Sequence, residues 1–413
     1  MGSLDMMGSS VETANLSESS KSTCIKLVRY DRRCQLMVIL AIAVAVAVAV
    51  TVPLVVLLRR DRHSGDDDQS IAVDDYYNVC LEDNCVYCIG RCNEDIVTTT
   101  QSGAVLMGGG IDTDAAFEWQ IKNANGGDFL VLRATGSEGY NQYVYDLAIA
   151  SGHPLNSVTS IVMTNRSASY NQTVLDLIRG AEAIFFAGGD QSLYLEYWVG
   201  TDVQSIVQSK VSSITIGGTS AGCAILGNWI FGAKSGTVTS PEALCNPYDA
   251  KVDIVDAFLK IPFMESIITD THFVTRNRMG RMNAFQARIL KDVGVPHPIV
   301  SRAVGTDEHT ALLLNTTTGH VRIVGAGTAY ICDSYDNATI CEPNHRLTFL
   351  NISCQRLSAL DNNTYSFRSW LGDGVSYVSN ITDGRYQNSP YGSSDIVPSN
   401  TYDDDTVVVE TCN

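Results

Sequence analysis

From Gly103 onward, apolar runs of strand length alternate with amphipathic segments of helical length, and this alternation constrains the fold of the 413-residue chain more than any other feature. GAVLMGGG precedes Asp112–Asn125, DFLVLRATG precedes Tyr140–Ala150, and SVTSIVMT precedes Gln172–Arg179. AEAIFFAGGD then precedes Ser192–Val199, and SSITIGG runs through TSAG into a further helix. Strands that are apolar on both faces need cover on both faces, so the alternation predicts an α/β fold with a mostly parallel sheet between helices. In such sheets ligands collect at the carboxyl ends of the strands, where most of these Gly-rich turns lie. After a helix near Arg276–Lys291, the segments PIVSRAVG, TALLLN, HVRIVG and TAYICD read as hairpins. Beyond about Asn344 the chain is polar, rich in Tyr, Asn and Ser, and weakly patterned.

The N-terminal part obeys different physics. Leu36–Leu58 is a run of 23 uncharged, almost wholly apolar residues, roughly 34 Å as a helix and long enough to cross a bilayer with some tilt. A cleaved signal peptide is the competing reading, but the run is too long for a signal h-region and starts late. Basic residues flank both of its ends and orient it only weakly. The residues beyond the run indicate its orientation. Seven Asn-X-Ser/Thr acceptors (Asn165, Asn171, Asn315, Asn337, Asn351, Asn362 and Asn380) lie on its C-terminal side and only Asn15 precedes it. Ten of the twelve cysteines also lie on the C-terminal side, as an oxidising compartment favours. The expectation is a single-pass type II membrane protein with its bulk lumenal or extracellular.

Charge narrows the partners. The chain carries −17 overall; up to Arg60 it has seven Lys/Arg against four Asp/Glu, leaving −20 for the remainder. A nucleic-acid partner needs clustered cations and is not expected. The acidity serves solubility or attracts a cationic substrate. Residues 61–78, with Asp66–Asp68 and Asp74–Asp75, read as a solvated stalk. Cys80, Cys85, Cys88 and Cys92 occur within thirteen residues, a spacing open to zinc in the cytosol and to disulfides outside it.

Chemistry concentrates in ITIGGTSAGCAILG, Ile214–Gly227. A buried strand ends in small residues around one hydroxyl, Ser220, before an apolar helix, the pattern of a nucleophile elbow. The helix start aims backbone N–H groups at that hydroxyl. AGGDQ (Ala187–Gln191) closes the preceding strand, and its amides supply half of an oxyanion hole, with the Ala221 N–H as the other half. Among seven histidines, His272 in TDTHFVTRNRMGRMNAF stands out as a base, following Asp270 and preceding Arg276, Arg278 and Arg281. Those arginines suit bidentate recognition of a carboxylate, or form a solvated helix face. The orienting acid is Glu308 or Asp307 in VGTDEHTALLL, and His309 beside them is a rival base.

GGTSAG, AGGDQ, D-x-HF-x-x-R-x-R-x-GR and G-x-DE-x-TAL all lie between about Gly103 and Ile331. Together they resemble the cyanophycinase branch of the serine peptidases related to dipeptidase E. The resemblance implies a three-layer αβα sandwich akin to class I glutamine amidotransferases, with serine where those enzymes use cysteine. It implies Ser220 as nucleophile, His272 as base, Glu308 as its acidic partner, and Gly189 and Ala221 at the oxyanion hole. It places Gln191, Asp270, Arg276, Arg278 and Arg281 at the substrate pocket, and it implies no metal or organic cofactor. Cyanophycinases cleave β-aspartyl-arginine linkages of a cytoplasmic bacterial polymer. This chain departs from them in its anchor, sequons, cysteine cluster and C-terminal extension.

The resulting division is a cytoplasmic tail (1–35), a membrane helix (36–58), a stalk with the cysteine cluster (59–100), a hydrolase domain (101–335) and a β-rich extension (336–413). The first functional reading is a serine exopeptidase for aspartyl or β-aspartyl peptides. An amidohydrolase acting on a small amide and a catalytically idle binding ectodomain are the alternatives, and a homodimer is left open.

Overall fold

The computed structural model describes residues 75–293 and 300–393; the tail, the run Leu36–Leu58 and the head of the stalk lie outside them. The cysteine cluster forms a hairpin of β1 (Asp75–Cys80) and β2 (Asn84–Gly90). Cys80–Cys85 and Cys88–Cys92 are disulfides. The alternating runs become β3 (Gly103–Met107), α1 (Asp114–Ala124), β4 (Asp128–Arg133), α2 (Asn141–Ala150) and β5 (Ser157–Met163). Next come α3 (Gln172–Gly180), β6 (Ala183–Phe186), α4 (Gln191–Trp198) and α5 (Asp202–Lys210). They lead into β7 (Thr215–Thr219) and the one-turn helix α6 (Ala221–Ala224).

The next stretch supplies β8 (Trp229–Phe231), α7 (Ser240–Cys245), β9 (Ile254–Asp256), β10 (Ile267–Asp270) and α8 (Met279–Asp292). It is followed by β11 (Ser301–Thr306), β12 (Thr310–Asn315), β13 (His320–Gly325) and β14 (Thr328–Ser334). Five strands complete the described chain: β15 (Phe349–Ser358), β16 (Thr364–Ser366), β17 (Leu371–Gly372), β18 (Val375–Thr382) and β19 (Arg385–Tyr386).

These strands form two sheets, and neither is mostly parallel. The larger has the order β1-β2-β5-β4-β6-β7-β3-β12-β13-β16-β17. Its five-strand centre, β5 to β3, is parallel, and antiparallel strands extend both edges. Every residue of β3, β5, β6 and β7 is buried, the environment that two-sided apolar runs require. The smaller sheet has the order β19-β18-β15-β14-β11-β10-β8-β9. There β11 lies parallel to β10 and antiparallel to β14, while β12 crosses into the larger sheet and pairs with β3 and β13. The expected run of consecutive hairpins therefore reduces to one, β12–β13. A hydrophobic pattern reports burial on a sheet face but not which distant strand completes the ladder.

The expected three layers become four where the second sheet packs. Phe117, Ile121 and Val144 of α1 and α2 cover Val105, Phe129 and Phe185 on one face of the larger sheet. On its other face, Leu106, Leu132 and Ile216 meet Val174 and Val207 of α3 and α5 together with Ile267, Val304 and Ile331 of the smaller sheet. Met282, Phe285 and Ile289 of α8 cover the far side of that second sheet. Each such side chain contributes about 1.5–3 kcal/mol by burial. The C-terminal strands β15 and β18 continue the second sheet from β14, and the disulfide Cys332–Cys354 joins β14 to β15.

Candidate active site

The carboxyl ends of β3, β6 and β7 lie side by side in the larger sheet, and each is followed by a turn of small residues. At the end of β7, Ser220 adopts φ 51° and ψ −118°, a backbone state that costs a non-glycine residue about 1–3 kcal/mol. Its neighbours explain how the turn closes. A Cβ on Gly218 would stand 2.4 Å from the Gly222 carbonyl oxygen, and one on Gly222 would stand 2.0 Å from that of Phe186. Only glycine fits at either place. The Ser220 N–H donates to the Met107 carbonyl at 3.1 Å, fixing the elbow to the end of β3.

The second sheet brings the partners. Past the end of β10, the His272 N–H donates to the Gly108 carbonyl at 2.8 Å. The His272 Nε2 stands 2.7 Å from Ser220 Oγ, and its Nδ1 stands 2.5 Å from Glu308 Oε1. With the Nδ1 proton directed at Glu308, Nε2 is left to accept from the serine hydroxyl. Glu308 lies in the crossing from β11 to β12, which is also the crossing between sheets. Burial holds the imidazole below its ordinary pKa; Arg276 and Arg278 push the same way, and the bond to Glu308 opposes them. The imidazole is thus kept neutral and able to take a proton.

The choice between neighbouring acids is settled by contacts. Asp307 Oδ1 accepts from the Val274 and Thr275 N–H groups at 3.0 and 2.9 Å, so this carboxylate caps the turn after His272. His309 uses its backbone N–H on the Gly109 carbonyl, and its side chain is exposed. The imidazole on Ser220 is that of His272.

The turn after β6 faces the elbow. A Cβ on Gly188 would lie 3.5 Å from Ser220 Cβ, and the Tyr194 hydroxyl donates to the Ala187 and Gly188 carbonyls at 2.9 and 3.0 Å. This holds the Gly188–Gly189 amides next to the start of α6, where Ala221 stands. The buried thiol of Cys223 lies further along the same helix; burial, and then Asp270, push it far above the ordinary thiol range, so it stays protonated and inert.

The five residues expected at the substrate pocket separate into two groups. Gln191 is half-buried and its Nε2 reaches the Phe231 carbonyl at 3.4 Å. Arg276 is exposed, with Nε 3.9 Å from Glu308 Oε1. Arg278 is partly covered, donates to the Thr271 carbonyl at 2.9 Å, and is pushed down to about 9 by burial and then by Arg281. Asp270 and Arg281 form the second, buried group. Their side chains are 4% and 3% exposed, and Arg281 donates through Nε at 2.8 Å and Nη2 at 2.5 Å to the two Asp270 oxygens. Arg281 Nη1 also donates to Thr237 Oγ1 at 3.0 Å, and Asp270 Oδ1 also accepts from the Thr271 N–H at 2.8 Å, so this deeply buried pair braces the end of β10 from which His272 projects.

One part of the site carries no legible signature beyond consecutive glycines. Gly108–Gly110, after β3, pack directly against the relay. A Cβ on Gly109 would lie 2.5 Å from His272 Cε1, and one on Gly110 would lie 3.1 Å from Glu308 Oε2. Among the described residues, no group of three His, Cys, Asp or Glu side chains is placed to hold a metal ion.

A strained serine, an imidazole and a carboxylate in series, beside the amides of a glycine turn, have the geometry of a serine hydrolase. Residues 102–321, more than half of the chain, match the family model described as peptidase family S51. The chain belongs to that family and is similar to cyanophycinases. It is 29% identical over 187 residues to the cyanophycinase of Trichormus variabilis, covering 44% of this chain and 56% of that one. It is 26% identical over 222 residues to the cyanophycinase of Thermosynechococcus vestitus, covering 52% and 62% respectively. The chain thus spans little more than half the length of the curated relatives it matches. Among solved structures, a peptidase from an acI-B1 Actinobacterium aligns over 65% of this chain and 98% of its own, at 20% identity and a TM-score of 0.42.

Proposed function

We propose that this chain is a membrane-anchored exopeptidase that cleaves aspartyl or β-aspartyl peptide bonds, β-Asp-Arg among them. The observation that carries this reading is the continuous relay Ser220–His272–Glu308 at 2.7 and 2.5 Å, with the charges of Arg276 and Arg278 acting on His272. In the proposed reaction Ser220 Oγ attacks the scissile carbonyl carbon while its proton passes to His272 Nε2. Glu308 holds the resulting imidazolium, and the Gly189 and Ala221 N–H groups receive the oxyanion. Collapse of the tetrahedral intermediate breaks the C–N bond. The leaving amine takes the proton from His272, and a water molecule then repeats the sequence on the acyl-serine. Arg276 and Arg278 offer donors for a substrate carboxylate.

Placement outside the cytosol is part of the same proposal. The apolar run Leu36–Leu58 would supply the anchor, and the seven sequon asparagines beyond it are all exposed or half-buried, open to glycosylation.

The test is hydrolysis of β-Asp-Arg, α-Asp-X and isoaspartyl dipeptides by the glycosylated ectodomain and by Ser220→Ala. Removing the nucleophile should lower kcat by roughly 10⁴- to 10⁶-fold and abolish labelling by a fluorophosphonate. Hydrolysis at the wild-type rate by Ser220→Ala would overturn the assignment.

A further inference from the structure

We propose that Tyr391, carried by the C-terminal extension, is a positioning residue for catalysis, fixing the turn that presents His272 to Ser220. This inference rests on the peptidase reading and gives the extension a part in the reaction. Tyr391 lies well outside residues 102–321, the part of the chain that matches the family.

The turn from His272 to Arg278 is strained near both ends. His272 has φ 47° and Asn277 has φ 49°, left-handed states that residues other than glycine keep only where the surroundings hold them. At the start of the turn the His272 N–H donates to the Gly108 carbonyl at 2.8 Å. In its middle Asp307 Oδ1 accepts from the Val274 and Thr275 N–H groups. At its end the Ser240 hydroxyl donates to the Asn277 carbonyl. The Tyr391 hydroxyl completes the hold: it donates to Asn277 Oδ1 at 3.0 Å and accepts from the Met279 N–H at 3.4 Å. Among these partners Tyr391 alone comes from the extension.

The ring is built into the same place. Tyr391 is 1% exposed, and its ring meets edge-on both Phe273, the residue next to His272, at 6.2 Å and Tyr330 of β14 at 5.4 Å. Phe273 is pressed in turn against the backbone of β11, since a Cβ on Gly305 would stand 2.5 Å from its ring. Close packing of this kind leaves the turn little room to move. The extension secures Tyr391 from behind. The Tyr377 hydroxyl of β18 donates to the Pro390 carbonyl at 2.9 Å, and Asn388 donates to the Val378 carbonyl at 2.9 Å. Gly392, at φ +69°, lies against the Tyr377 ring, where a Cβ would come within 2.7 Å.

A hydroxyl this buried is out of a substrate's reach, so it acts through the turn. The Arg276 N–H donates to the His272 carbonyl and the Arg278 N–H to the Phe273 carbonyl, each at 2.9 Å. These bonds make Asn277 and His272 parts of one loop. Release at Asn277 lets the imidazole drift from its 2.7 Å contact with Ser220 Oγ.

The experiment measures two quantities on the full-length chain: the rate of Ser220 labelling by an uncharged fluorophosphonate, and kcat for β-Asp-Arg. Wild type, Tyr391→Phe and Tyr386→Phe are compared. Tyr391→Phe keeps the ring and removes the hydroxyl. Tyr386→Phe does the same to a second tyrosine of the extension, which donates to Asn283 Oδ1 further along α8. Tyr391→Phe should slow labelling and kcat together by roughly three- to tenfold, the scale of one hydrogen bond, while Tyr386→Phe changes neither. Labelling of Tyr391→Phe at the wild-type rate, or equal losses in both variants, would overturn the proposal, because the extension would then only stabilise the fold. Asn277→Gly supplies a second check, since glycine holds a positive φ freely and lacks the acceptor. In that background Tyr391→Phe should cost less than about twofold more, and a loss as large as in the wild type would also overturn the proposal. A wild type that is labelled yet leaves β-Asp-Arg intact removes the substrate reading, and the labelling rates still decide the role of Tyr391. A wild type that is never labelled removes both.

Discussion

Replacing Gly109 with alanine drives a methyl group into the His272 imidazole. The new Cβ would lie 2.5 Å from Cε1, 2.7 Å from Nε2 and 3.1 Å from Nδ1, whereas carbon atoms in contact sit about 3.5–4.0 Å apart. The imidazole must therefore retreat by about 1 Å, and a misplacement of that size costs on the order of 10²-fold in rate. Gly109 also has φ +103°, so the alanine adds backbone strain of about 1–2 kcal/mol. Gly152 separates the two effects, because it has φ +74° and an added methyl group there would meet no heavy atom within 4 Å. Thermal unfolding should show both Gly109→Ala and Gly152→Ala destabilised by about 1–2 kcal/mol, while steady-state kinetics should show kcat reduced only in Gly109→Ala. The rate of fluorophosphonate labelling of Ser220 should fall in step with kcat. A Gly109→Ala enzyme with wild-type kcat would refute the reasoning, since it would mean the glycine loop does not hold the ring.

The surroundings of His272 and the disulfide of the second sheet set further expectations. Arg281→Met leaves the buried Asp270 carboxylate with only the Thr271 N–H and the more distant Arg278, 3.6 Å away, and should destabilise the fold by up to about 3–5 kcal/mol; adding Asp270→Asn should recover most of it, and a double variant no more stable than the single one would argue against a bracing pair. His272 must be neutral to act as base and its pKa is depressed, so kcat/KM should hold as pH falls below the ordinary histidine value and drop only at the lower folded pKa. Arg276→Gln removes one of the charges that depress it, so the acid limb of the pH–rate profile should move to higher pH; a limb that stays put would exclude that coupling. Cys332→Ala with Cys354→Ala opens a bridge spanning 22 residues and should lower stability by roughly 3 kcal/mol in denaturant unfolding, with an unchanged midpoint speaking against the bond.

Much of the centre of the fold is legible in the sequence because β3, β5, β6 and β7 are buried on both faces, and that condition leaves continuous apolar runs. Helix α5 escapes such reading, since the buried stripe of DVQSIVQSK is only Val203 and Val207. The pairing of β11 and β12 escapes it too. Their partners, β10 and β3, lie far away in the chain, and the burial pattern of either strand suits either sheet. At the site, Ser220 and its glycines are visible because the elbow permits few residue types. The choice of Glu308 over Asp307 rests on which side chain points at the imidazole, and adjacent residues at a strand end give no sign of that. Arg281 shows the reverse limit: an arginine cluster reads as solvated or substrate-binding until burial reveals an internal partner.

The relay is assembled from two sheets. Ser220 ends a strand of the larger one, while His272 and Glu308 extend from strands of the smaller. Activity is therefore a gauge of how the two sheets are docked, read at a single hydroxyl. A small slip along their shared apolar face would separate nucleophile from base while every ladder and helix stayed intact. On gentle heating or mild denaturant, such a molecule would fall silent as an enzyme while its circular dichroism remained that of the folded state, and it would regain activity on return without refolding either sheet.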